Sequence, residues 1–144
     1  MKFLVIVKAN KDSEAGKLPD ASVFEEMNKF NEQLVKAGVM LAGEGLHPSS
    51  KGARIRFDGP SKRTVLDGPF SETKELIAGF WLWQVKSRDE AIEWLKRAPF
   101  QEGEVEIRQV HSAEDFASVD PTGELRAQEE KLRKTVESRE PRRN

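Results

Sequence analysis

Phe80-Trp81-Leu82-Trp83-Gln84-Val85 is apolar at five of its six positions. A run this short, bounded by polar segments and without a polar face, reads as a strand buried on both sides. Phe3-Leu4-Val5-Ile6-Val7 has the same character. Two such strands are the centre of a sheet, and the rest of the chain falls into place around them. After Val7 comes a polar loop over 9–20, with Gly16 and Pro19. A helix follows, with Ser22 and Glu25 at capping-box spacing, Val23, Met27, Phe30 and Leu34 at helical spacing, and Gly38 as its stop. A strand near Val39 to Leu46 comes next. On the far side of 80–85, Ser87 and Glu90 cap a second helix that turns Ala91, Ile92 and Leu95 inward. Pro99 ends it. Val105 and Ile107 then alternate with Glu104, Glu106 and Arg108, the pattern of an edge strand.

Between the second and third core strands, Arg54-Ile55-Arg56-Phe57 and Arg63 to Leu66 flank Asp58-Gly59-Pro60, a turn signal. The order is therefore β-α-β, an inserted hairpin, then β-α-β. Two right-handed crossovers predict an α+β, ferredoxin-like βαββαβ sheet with the first and third core strands central. Two helices cover one face of such a sheet. The other would expose aliphatic and aromatic side chains, which a second copy of the sheet covers most simply. The alternative is that the hairpin or the tail folds over it. From Val119 the composition changes, so the expected division is a domain over 1–118 and a charged helical or flexible tail over 119–144. Leu125, Leu132 and Val136 give that tail a thin stripe, suited either to a solvated helix or to an arm on a partner chain.

The chain has 144 residues, 37% hydrophobic and 34% charged, with a formal net charge of −1. That balance offers no field for nucleic acid or an acidic membrane. Cysteine is absent, which excludes disulfides and thiolate chemistry and suits a reducing compartment. With no apolar run long enough for a signal or a span, the expected location is cytoplasmic. The two histidines have no metal-ligand spacing, and neither a phosphate loop nor a nucleophile elbow is present, so no metal or cofactor is expected.

Topology gathers ionisable groups at one rim. His47 follows the second core strand, and Asp67 to Glu75 lead into its antiparallel neighbour. Glu44, His47, Asp67, Glu72, Lys74 and Glu75 are thus expected together. His111 is expected on the same rim at the opposite edge, three strand spacings or roughly 14 Å away. His47 is the general-base candidate, since imidazole titrates near neutrality. The carboxylates and Lys74 are candidates for acid, base or substrate clamp. Each has a plainer reading as surface. Asp67-Gly68-Pro69 is also a good turn, Phe70 reads as a core plug or a ligand stacker, and Trp81 and Trp83 as dimer core or pocket wall.

Asp67-Gly68-Pro69-Phe70 followed by Glu72-Thr73-Lys74-Glu75 resembles the signature of the DGPF group within the YCII-related family. Gly43-Glu44-Gly45-Leu46, Ala78-Gly79-Phe80 and Val105-Glu106-Ile107-Arg108 fit the same pattern, and the resemblance runs from Met1 to about Val110. It implies a dimeric α+β barrel. It also implies a cofactor-independent enzyme with a His–Asp arrangement. From the topology of the rim, the catalytic candidates in this chain are His47, Asp67 and Glu75, with Glu44, Phe70, Glu72 and Lys74 as ligand contacts. Some members are linked to extracytoplasmic-function sigma factors, which implies instead a regulatory interaction module. Two function classes follow: a small-molecule binder or enzyme working by proton transfer, and a partner-binding regulator.

Overall fold

The computed structural model describes residues 1–72 and 74–139. Thr73, within the motif quoted above, and 140–144, the end of the tail, lie outside the described residues. The described residues form two compact units, Met1–Val110 and a second from His111 onward. In the first, β1 (Lys2–Lys8), β2 (Met40–Gly45), β5 (Ile77–Gln84) and β6 (Val105–Gln109) make one antiparallel sheet in the order β2-β5-β1-β6. The strands with no polar face, β1 and β5, occupy its centre. β3 (Ala53–Asp58) and β4 (Lys62–Asp67) pair only with each other, as the separate hairpin that the Asp58-Gly59-Pro60 turn predicts.

The register shows which side chains share a face. Phe3 lies opposite Trp83 and Val5 opposite Trp81, whereas Leu4 faces Leu82 and Ile6 faces Phe80. The first set is packed under the helices. Helix α2 (Ala21–Lys36) lays Phe30 and Leu34 onto it, and α3 (Arg88–Lys96) adds Ala91. Phe30 meets both indoles edge-on, with centroids 5.8 Å from Trp81 and 6.3 Å from Trp83. Such pairs contribute about 0.5–1.5 kcal/mol each beyond the burial itself. Trp81 and Trp83 are therefore the helix-side core of a single chain, and the dimer-core reading for them is overturned. Alternation told which residues go together, but not which of the two faces the helices would take. The opposite face carries Leu4, Phe80 and Leu82, all half-buried, around Ile6.

Local signals explain most boundaries. Ser87 caps α3, its hydroxyl accepting from the Glu90 N–H at 3.1 Å, while Glu90 reaches back to the Lys86 N–H at 2.7 Å. Helix α2 departs from expectation. It starts at Ala21 with Asp20 at its N-cap and no side-chain cap, so Ser22 and Glu25 already lie inside the first turns. The polar stretch after β1 contains a one-turn helix, α1 (Lys11–Glu14), capped reciprocally by Asn10 and Ser13.

β6 runs antiparallel to β1, with Val105 opposite Val7 and Gln109 opposite Phe3. The chain leaves it at the rim where β1 begins. His47 leaves β2 at the other rim, where Gly45 lies opposite Gly79. The shared rim expected for His47 and His111 is thus corrected. A β-α-β crossover returns the chain parallel to its starting strand, so β6 takes the direction of β5 and ends at the opposite side from β2.

In the second unit, α4 (Glu124–Glu137) begins behind Gly123 at φ 77°. Its first turn is held by Asp120, which is 5% exposed. The Asp120 carboxylate accepts the Leu125 and Arg126 N–H groups at 3.2 and 2.9 Å and the Arg126 Nε–H at 3.1 Å. Glu114 also pairs with Arg126, at 3.4 Å. Glu114 thus ties the segment after β6 to the tail helix, and by compactness the units meet at Val110/His111. No helix among the described residues is long and apolar enough to cross a membrane.

Candidate functional site

Glycines hollow out one end of the helix-covered face. β2 ends Gly43-Glu44-Gly45 and β5 begins Ile77-Ala78-Gly79. Gly43 lies opposite Trp81 and Gly45 opposite Gly79, so three neighbouring positions present no side chain to the helix above. The result is a cavity of about 500 Å³, walled by Phe24 and Met27 of α2, by Trp81, and by Phe100 from the segment after α3. The indole of Trp81 is fixed there. Its Nε1–H donates to Asn31 Oδ1 at 2.9 Å, and Phe100 stands edge-on to it at 6.1 Å. Glu44 and Phe80 also border this cavity. They face one another across the strands, one position out of phase with Gly43 and Trp81. Alternation sends their side chains to the other face, and their contribution here is main chain.

A second cavity, of about 630 Å³, shares Val7 and Phe100 with the first. Its lining is more polar: Asn10 and Ser13 from the α1 segment, Lys74, Glu102 and Glu104. Adjoining at Val7 and Phe100, the two make a cleft with an apolar, aromatic end and a mixed-charge mouth, both open to solvent.

A third hollow, of about 450 Å³, holds His47 and Phe70, with Glu14, Ser49, Lys51 and Arg54 around them. Ser49 is its hub. Its N–H donates to Glu14 Oε2 at 2.9 Å and its hydroxyl donates to Glu14 Oε1. Its Oγ also accepts the Phe70 N–H at 3.0 Å. These bonds from Ser49 hold the Glu14 carboxyl below its ordinary range. Gly68 fits against the same residue: a Cβ there would overlap the Ser49 carbonyl. The Gly68–Pro69 peptide is cis. One face of the Phe70 ring is taken by the Arg54 guanidinium at 3.9 Å, and Arg54 also reaches Glu72 at 3.6 Å.

The expected site residues are therefore dispersed. His47 and Phe70 share one hollow, Lys74 lines the cleft mouth, and Glu44 gives the cleft only main chain. Asp67, Glu72 and Glu75 are exposed. Glu75 makes a main-chain bond to Glu72 at 2.8 Å that tightens the turn. Sequence reasoning missed Glu14, Ser49 and Asn31. Each acts on a partner far along the chain, and only Glu14 left a local hint, as an acidic residue in a polar loop.

An uncharacterised protein of Rhizobium meliloti (strain 1021) is 33% identical to this chain over 92 residues, covering 62% of this chain and 73% of that protein. A solved structure of 5-chloro-2-hydroxyhydroquinone dehydrochlorinase from Burkholderia phenoliruptrix AC1100, in complex with 2,5-dihydroxybenzoquinone, is similar over 78% of this chain and 96% of that one. The identity is 19% and the TM-score 0.36. Residues 1–117 match the YCII-related domain, and the chain belongs to that family.

Proposed function

We propose that this protein binds a small, flat, largely apolar organic molecule in the glycine-floored cleft, with the polar end of that molecule at the mouth. The observation that carries the reading is the floor itself. Gly45 opens onto empty space, Gly43 and Gly79 beside it add no side chain beneath three aromatic rings, and Asn31 holds the Trp81 indole in place. A rigid aromatic wall over an empty floor is what a flat ligand needs to exclude water from both of its faces. The aromatic end has no charged side chain, so it suits a neutral body. Lys74, Glu102 and Glu104 at the mouth are the groups to clamp a polar substituent or to move a proton. Of the residues expected from the sequence, Lys74 is the one assigned this role. His47 and Phe70 belong to the neighbouring hollow, where they support the rim.

The same reading places the chain in the DGPF group, with a ferredoxin-like core and a homodimer closed through Leu4, Ile6, Phe80 and Leu82. That face lies opposite α2 and α3, and its branched and aromatic side chains are what a second sheet would cover. Light scattering that finds only monomer at micromolar concentration overturns the dimer.

The ligand reading is tested by titrating a panel of small substituted aromatic compounds against Trp81 emission, with Trp81→Phe as the control that assigns the signal. Gly45→Val is the discriminating variant. A Cβ at Gly45 meets nothing within 4 Å, so the new side chain fills the floor without disturbing the strand. Binding should weaken by about tenfold or more, equivalent to about 1.4 kcal/mol. A Gly45→Val protein that binds like the original shows that the cleft is not the site.

A further inference from the structure

The outer wall of the cleft mouth is the α1 segment, and it is held very lightly. Asn10 and Ser13, which line the mouth, spend their hydrogen bonds on each other: Asn10 Oδ1 accepts the Ser13 N–H at 2.8 Å, and Ser13 Oγ accepts the Asn10 N–H at 2.9 Å. The remaining main-chain bonds of residues 10–20 stay within the segment or enter the first turn of α2. A helix of one turn has no stability of its own. Among the described residues, a single side chain ties this segment by hydrogen bonds to another part of the fold. That side chain is Glu14, gripping both the N–H and the hydroxyl of Ser49. Ser49 in turn accepts the Phe70 N–H, so the same residue secures the strap of Asp67–Phe70 at the end of β4.

We propose that Glu14 and Ser49 are the latch of a lid, formed by residues 10–20, that closes the mouth of the cleft. The inference rests on the cleft being the ligand site. It adds that parting of the Glu14–Ser49 pair widens the mouth, and that Ser49 is a positioning residue for the wall and the strap together. A segment with one tie opens locally without unfolding its neighbours, which is the property of a lid.

The test uses the ligand-free protein, so its failure is distinguishable from failure of the ligand reading. Hydrogen exchange is compared between the original chain, Glu14→Ala and Ser49→Ala. Both variants should raise exchange within 10–20 by about tenfold or more, since exchange follows the local opening equilibrium. Ser49→Ala should also expose the Phe70 N–H, whereas Glu14→Ala should leave it protected. The centres of β1 and β5 should not change. In a Trp94→Phe background, acrylamide quenching of Trp81 should rise in both variants. Unchanged exchange in 10–20 after Glu14→Ala overturns the latch. A rise that extends through β1 and β5 makes Glu14 a residue of the fold and overturns the lid. So does faster exchange in 10–20 with no gain in quenching, because the segment would then open without uncovering the cleft.

Discussion

Two regions of this protein are built around glycine, and they use it for opposite ends. At Gly68 the backbone is pressed against the Ser49 carbonyl, and no side chain of any size fits between them. At Gly45 there is nothing to press against, since a Cβ would meet open space. The first glycine permits a close approach of two chain segments. The second keeps a cavity open under the aromatic wall. Gly43 lies between these limits, its missing Cβ occupied by Trp81 Cδ1 at 2.7 Å and Met40 Cε at 2.9 Å. The strap of Asp67–Phe70 is therefore a packed joint, and the strand end at Gly45 is an excavation, whereas a Cβ at Gly79 opposite it would lie 2.9 Å from the Glu44 carbonyl oxygen. A residue type that looks the same in both places marks a packed joint in one and a cavity in the other.

Breaking the joint should have the largest effect. Gly68→Ala forces two backbone segments apart, and backbone cannot yield as a side chain can. The loss of stability should reach the upper end of the range of about 1–3 kcal/mol seen for overpacking, or exceed it. Denaturant unfolding measures this, and a midpoint like the original's would mean that the joint is loose. Gly43→Ala should cost less, about 1–2 kcal/mol, because Met40 is flexible and the Trp81 ring can tilt. Its signature is a changed Trp81 emission with the fold retained. If emission is unchanged, Trp81 does not lean on β2. Gly45→Val completes the series, with stability altered by less than about 0.5 kcal/mol and the cleft blocked.

This contrast shows what the sequence could and could not reveal. Phe80–Val85 and Phe3–Val7 betrayed the centre of the sheet because a strand without polar residues has nowhere else to go. Asp58-Gly59-Pro60 betrayed the hairpin through local turn chemistry. Glycine at 43, 45 and 79 was visible in the sequence, but whether a glycine is crowded or empty depends on what crosses it from elsewhere, here Trp81, Phe24 and Phe100. The same holds for Glu14 and Ser49, 35 residues apart, whose pairing leaves no periodic trace. The convergence expected of His47, Asp67 and Glu75 rested on strand order alone. Strand order selects a rim but not the direction in which a side chain leaves it, and the rim proved to hold two hollows where one site had been expected.

The smallest expected effect concerns the pH dependence of the latch, and it separates the joint from the second unit. Glu14 is held below its ordinary value of 4.5 by the hydroxyl and N–H of Ser49. A carboxyl depressed in the folded state binds protons more weakly there than in the unfolded chain. Its contribution is complete above the unfolded value, and it is lost as pH falls through the folded one. Melting temperature, followed downward from pH 6, should therefore fall more steeply in the original chain than in Glu14→Gln, and the gap between the two should close in acid. His47, Lys51 and Arg54 line the same hollow as Glu14. Asp115 and Asp120 are also held below their ordinary value of 3.8, the first by the Ser112 N–H and His111 and the second by the Arg126 N–H and guanidinium. Both belong to the second unit and lose their contributions in the same acid range. Their effect is common to both proteins and cancels in the difference, so what remains reports on Glu14 alone. A gap that stays constant from pH 6 to pH 3 would mean that the Glu14 charge contributes nothing to the latch, and that Ser49 is held by packing against Gly68 and its bond to Phe70.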